Sequence, residues 1–153
     1  MNKVFEDYFS ELQADMVSIC LEYVENRANK IYIYCSFEDN VIASDYFYNI
    51  NGEIVERHKI NDIISSNEEK YDTSIERQKG VVRILNSDIK NMISLCKEYK
   101  REMPTEIKLV YDVLKNSLKA EYKYDLVYSN DPIKEADDIA MEWFNTINAE
   151  NGK

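Results

Sequence analysis

The stretch KIYIYCSFEDNVIASDYFYNINGEIVERHKI, residues 30–60, decides the fold class. Over 30–37, Ile31, Ile33, Cys35 and Phe37 alternate with Tyr32, Tyr34 and Ser36, the two-residue period of a strand with one face on a core. Glu38-Asp39-Asn40 supplies a turn. Residues 41–50, rich in aromatic and β-branched side chains, form the second strand. Asn51-Gly52 then gives the strongest local signal in the chain. Asn-Gly between two strand patterns suits a type I′ turn, whose two central residues take positive φ. Residues 53–60 return as a third, more polar strand suited to a sheet edge.

Helical periodicity surrounds this meander. Over 3–25, Phe5, Phe9, Leu12, Met16, Ile19 and Tyr23 recur at steps of three and four, with Asn26 and Asn29 available to end the helix. Residues 61–73 lack periodicity and read as a long loop. From 74 to 102 a long helix carries the stripe Val82, Leu85, Ile89, Met92, Cys96, Tyr99 and Met103, until Pro104 stops it. Ile107, Leu109, Tyr111 and Val113, then Leu118, Ala120, Tyr122 and Tyr124, alternate with polar residues on either side of Lys115-Asn116, which predicts a second hairpin. Asp131-Pro132 predicts the start of a last helix, with Asp as N-cap and Pro in its first turn. Ile133, Ala136, Ala140, Trp143, Phe144 and Ile147 give that helix its apolar side.

The expected fold is therefore α+β in the order α-βββ-α-ββ-α. A largely antiparallel sheet, meander plus hairpin, is packed by N-terminal, long central and C-terminal helices that cover one face. Residues 1–148 form one domain and 149–153 a frayed tail.

Composition narrows the function classes. The 153 residues hold 29 acids and 19 bases, a net charge of −10, which opposes phosphate backbones and favours a basic partner. No leader pattern opens the chain and no apolar run approaches a membrane span, so a soluble cytoplasmic protein is expected. The three cysteines, Cys20, Cys35 and Cys96, fall on apolar faces at wide spacing and read as buried free thiols of a reducing compartment. With a single histidine, His58, and no C-x-x-C, neither a zinc site nor a His-based nucleophile set is indicated. No phosphate-cradling glycine loop occurs. Glu68-Glu69 with Asp72 and Glu76, and Asp137-Asp138, lack the alternating oxygen spacing of a calcium loop and read as solvated surface. No cofactor, metal or catalytic residue is expected. The 12 tyrosines are unusual. Tyr32 and Tyr34 point away from the Ile31/Ile33/Cys35 face, to lie beneath a helix on the second face or to form a protein-binding surface.

The N-terminal helix, the tyrosine-rich meander with Asn51-Gly52, the long middle helix, the hairpin ending in Tyr122-Lys123-Tyr124-Asp125, and Asp131-Pro132 followed by Trp143-Phe144 resemble the YezG-like family of bacterial immunity proteins over residues 3–147. That family often has basic residues after the Asp-Pro. Here Lys134 is followed by Glu135, Asp137 and Asp138. The resemblance implies an antitoxin of a toxin–antitoxin pair, not an enzyme, that neutralises a secreted LXG-type or related polymorphic toxin, often a nuclease, in a stoichiometric complex. The acidic groups expected to meet a basic toxin cleft are Glu38 and Asp39 in the first turn, Glu68, Glu69 and Asp72 in the long loop, and Asp131, Glu135 and Asp138 at the start of the last helix. A secretion chaperone or adaptor for an effector, and a small carboxylate- or metal-dependent enzyme, are the alternatives. The oligomeric state is left open.

Overall fold

The computed structural model describes residues 4–131 and 133–152. The elements follow the expected order: α1 (Phe5–Tyr23), β1 (Lys30–Glu38), β2 (Val41–Ile50), β3 (Glu53–Glu56), a 3-10 helix (Arg57–Asp62), α2 (Ile75–Tyr99), β4 (Glu106–Asp112), β5 (Ser117–Lys123) and α3 (Ala136–Asn151). The five strands make one antiparallel sheet in the order β3-β2-β1-β4-β5. Asn51 and Gly52 take φ of 55° and 82°, the pair of positive values that the β2–β3 turn requires. The β1–β2 turn is built alike, with Asp39 at 50° and Asn40 at 63°.

The helices do not share one face, as the sequence led us to expect. α1 and α2 cover one side, where Met16, Cys20, Leu85, Ile89 and Met92 pack on Ile31, Ile33, Tyr46, Tyr48, Ile107 and Leu109. α3 covers the other side, where Ala136, Ile139, Ala140 and Trp143 pack on Tyr32, Tyr34 and Phe47. The second row of β1 is aromatic, and leaving it wet would expose two tyrosines, a phenylalanine and the apolar stripe of α3 together. The rings interlock instead: Tyr32 stacks on Phe47 at 4.7 Å between centroids, and Phe47 meets Trp143 edge-on at 5.1 Å. Tyr32 and Tyr34, 5% and 1% exposed, belong to this second core and offer no binding surface.

Four boundaries differ from the sequence reading. The third strand ends at Glu56 because the chain curls into the 3-10 helix, which buries Ile60 and lets the Arg57 carbonyl accept the Tyr23 hydroxyl at 2.9 Å. α2 stops at Tyr99, ahead of Pro104. Lys100 adopts the left-handed conformation with φ of 55°, and Arg101 N–H donates back to the Cys96 carbonyl at 2.8 Å. α3 begins at Ala136, not at Asp131-Pro132. Its far end runs through Asn151, whose side-chain amide donates to the Gly52 carbonyl at 2.9 Å, so residues 149–151 are helix where fraying was expected. Pro132 and Lys153 lie outside the described residues.

All three cysteines are free and buried. Among the described residues no helix is long and apolar enough to cross a membrane.

Candidate functional site

Alternation along β1 carries Glu38 onto the α3 side of the sheet with Tyr32, Tyr34 and Ser36. There its carboxylate accepts the backbone N–H groups of Val127 at 2.9 Å, Tyr128 at 3.3 Å and Ser129 at 3.1 Å, and the Ser129 hydroxyl at 2.8 Å. Consecutive N–H groups converging on one carboxylate form a concave anion seat. Glu38 is 2% exposed. Expected as a partner contact, it is an internal anchor that fixes the loop between β5 and α3.

That loop delivers the next carboxylates. Asp131 Oδ1 accepts Ile133 N–H at 2.9 Å and Lys134 N–H at 3.1 Å, closing a turn ahead of the helix. These two backbone donors, with the nearby Lys134 charge, hold the Asp131 carboxyl below its ordinary value. Glu135 is the N-cap position of α3, and its N–H donates to Asp138 Oδ2 at 2.9 Å. Asp138 thus serves the helix start, where its charge also suits the N-terminal dipole. Lys134 reaches over to Glu142 at 2.6 Å.

The product is a surface hollow of about 490 Å³ between the β1–β2 turn and the start of α3. Asp39, Asp131, Glu135 and Asp137 line it as exposed carboxylates around Val41, Ala43, Tyr128 and Ala136, with one cation, Lys134, which is paired to Glu142. The structure therefore brings together Glu38, Asp39, Asp131 and Glu135 of the expected set, Glu38 as a buried part of the wall, with Asp138 one residue outside the rim. Asp137 belongs with them, although the sequence placed it only in a divergent pair with Asp138. Its direction follows from the true helix start at Ala136.

Glu68, Glu69 and Asp72 lie elsewhere. Glu68 sits near Arg27 (4.0 Å) and Asn51 (3.5 Å), at the end of the sheet where β1 begins, whereas Asp39 follows the end where β1 finishes. At ~3.3 Å per residue the nine residues of β1 separate the two places by roughly 26 Å. Glu68 also accepts the backbone and hydroxyl of Ser65, both at 3.2 Å, and Asp72 accepts Ser74 N–H at 3.0 Å. Those backbone bonds come first among the influences that lower both carboxyls. The Glu69 carbonyl takes Arg27 Nη2 at 2.8 Å, leaving its side chain exposed. This acidic loop is tied to the body of the protein by Tyr71, 4% exposed beneath the Arg27 guanidinium at 3.9 Å.

The hollow is suited to binding. Its four carboxylates rim an apolar floor, and two of them hold backbone turns or a helix start, so the surface is preorganised. His58, on the 3-10 helix and not on a strand, has its Nε2 3.2 Å from Glu56 and lies near Asp45 and Arg57, away from the hollow. Among the described residues no group of three or more His, Cys, Asp or Glu side chains is placed to hold a metal ion. Compared with models of known protein families and with curated proteins, the chain matches none.

Proposed function

We propose that this chain is an immunity protein: a cytoplasmic antitoxin that binds a cognate secreted toxin and neutralises it in a stoichiometric complex. The observation that supports this reading most directly is the hollow where Asp39, Asp131, Glu135 and Asp137 gather as exposed carboxylates on a fixed frame. A nuclease toxin needs a cationic cleft for phosphates. A rigid acidic surface on a molecule of net charge −10 is attracted to such a cleft at long range, and matched charge pairs then set the docking register. The likeness of element order and of the Asp131-Pro132 to Trp143-Phe144 segment to YezG-like immunity proteins points the same way. Inhibition of this kind requires no reaction centre.

Co-expression with the product of the neighbouring reading frame, assayed for toxicity, tests the proposal. Rescue of growth together with an equimolar complex of inactive toxin is the expected result. A toxin that stays lethal, with no complex recovered, defeats it. A stable complex whose toxin remains fully active assigns the chain instead to the chaperone class.

A further inference from the structure

The two edges of the sheet are protected very differently. β3, at one end, has four residues and passes at once into the 3-10 helix. β5, at the other end, has seven residues and, among the described residues, no strand beyond it. All of 117–123 except Ala120 is exposed, including Leu118 at 38% and Tyr122 at 41%. An open, regular edge of this length is a template for another strand.

Hydrogen-bond parity shows which backbone groups are on offer. Val113 N–H donates to the Asn29 carbonyl at 3.0 Å and Phe37 N–H to the Thr105 carbonyl at 2.9 Å, so the odd-numbered residues of β4 turn their backbone toward β1. Successive residues of a ladder alternate sides. Glu106, Lys108, Val110 and Asp112 therefore face β5, where the register matches them to Lys123, Glu121, Lys119 and Ser117. This leaves the N–H and C=O groups of Leu118, Ala120 and Tyr122 directed at the open edge.

The charge pattern of SLKAEYK names the occupant. We propose that β5 pairs antiparallel with β5 of a second copy of this chain, about a two-fold axis at Ala120, to form a continuous ten-stranded sheet. In that register Leu118 and Tyr122 exchange backbone hydrogen bonds across the axis, as do the two Ala120 residues. Lys119 of each copy lies opposite Glu121 of the other, in the closely spaced non-hydrogen-bonded positions where cross-strand pairs interact most. Sliding by one step in either direction about the axis sets Lys119 against Lys119, or Glu121 against Glu121. The register centred on Tyr122 also sets Glu121 against Lys123, but there only residues 121–123 of the two strands overlap; the register centred on Ala120 combines matched charges with pairing of all seven residues. Two lysines alone would guard this edge, but Glu121 between them makes it complementary to its own antiparallel image.

The approach is also clear. Ser10, Ala14 and Ser18, four residues apart on one face of α1, line the hollows beside Tyr122 and Leu118. Because the axis is perpendicular to the sheet, Tyr122 of one copy abuts Leu118 of the other on the α1 side, covering both. This inference does not rest on the immunity reading, since the acidic hollow belongs to the β1–β2 turn and α3.

Sedimentation velocity from micromolar to millimolar protein is the test. The wild-type chain is expected to convert from one to two chain masses. Lys119→Glu and Glu121→Lys, each alone, should weaken self-association by roughly tenfold or more, since two like-charged pairs replace two matched ones. An equimolar mixture of the two variants should recover the dimer, because one then supplies two acids and the other two bases at the facing positions. Ala120→Pro, which removes an outward N–H and no bond to β4, should leave a folded monomer by circular dichroism. A wild-type chain that stays monomeric at millimolar concentration overturns the proposal. A dimer indifferent to these substitutions, or one not restored by mixing, overturns it as well, as does an edge occupied by a strand of a different protein.

Discussion

The carboxyl groups of Asp88 on α2 and Asp15 on α1 line one hollow at the seam of the two helices, where Asp15 bears on the titration of Asp88. Asp88 is 5% exposed, and its Oδ2 meets no hydrogen-bond donor among the described residues. Burial first, then the hydrogen bond and repulsion from Asp15, push the Asp88 carboxyl up to about 8. A carboxyl whose native pKa exceeds its unfolded one binds more protons when folded. The contribution of Asp88 to stability is therefore full below its ordinary value of 3.8 and declines as pH rises from there through about 8. Asp88→Asn keeps the shape and the donor while removing the ionisation. It is expected to stabilise the protein at neutral pH by about 1–3 kcal/mol, with the gain fading toward acid pH. Thermal melts of both proteins across pH check this; parallel curves would refute it.

Glu38 has the opposite sign of effect. Its replacement by alanine leaves three consecutive backbone N–H groups and the Ser129 hydroxyl without their acceptor, at a cost of about 2–4 kcal/mol. Glu38→Gln, which keeps one acceptor oxygen, should lose less. Amide exchange at Val127, Tyr128 and Ser129 should accelerate ahead of exchange in β1. Unchanged protection there would show that something else anchors the loop.

Trp143 reports on the second core. The single tryptophan, 9% exposed, contacts Tyr32 and Phe47, with Lys108 Nζ 5.5 Å from the ring. Its emission is expected to be blue-shifted in the native protein and to move red on unfolding. Trp143→Ala should cost about 3–5 kcal/mol, because it empties the space between α3 and the Tyr32–Phe47 stack. A loss under ~1 kcal/mol would mean that α3 is loosely docked.

These residues show where the sequence was informative. Asn51-Gly52 was legible because positive φ is a local demand that few residue pairs meet cheaply, and the β1 row was legible because period two is local as well. The sidedness of α3 was not. An alternating row of tyrosines reads equally as a buried second face or a wet one, and only the matching stripe at Ala136, Ala140, Trp143 and Phe144 decides it. Glu38 looked like a turn carboxylate because its donors arrive some 89–91 residues later, from a segment with no pattern of its own. Asp88 was hidden inside the α2 stripe, since periodicity counts apolar residues and passes over a lone acid on the same face.

The candidate site makes the last prediction. Asp131, Glu135 and Asp138 contribute to the turn and helix start, so changing them confounds binding with folding. Asp39 and Asp137 form no hydrogen bond or ion pair among the described residues, yet both line the hollow. The double reversal Asp39→Lys, Asp137→Lys puts a lysine at a positive φ and a cation in the first turn of α3, so it should cost about 1–2 kcal/mol and leave the protein folded. Against a toxin with a cationic cleft it should slow association and weaken binding by tenfold or more, most strongly at low salt. Glu69→Lys at the far end of β1 is the control, since it shifts net charge without touching the hollow. If binding tracked net charge alone, Glu69→Lys would have half the effect of the double variant. A control that leaves the association rate nearly unchanged locates the contact at the β1–β2 turn, and equal losses per charge at the two ends would move the site away from it.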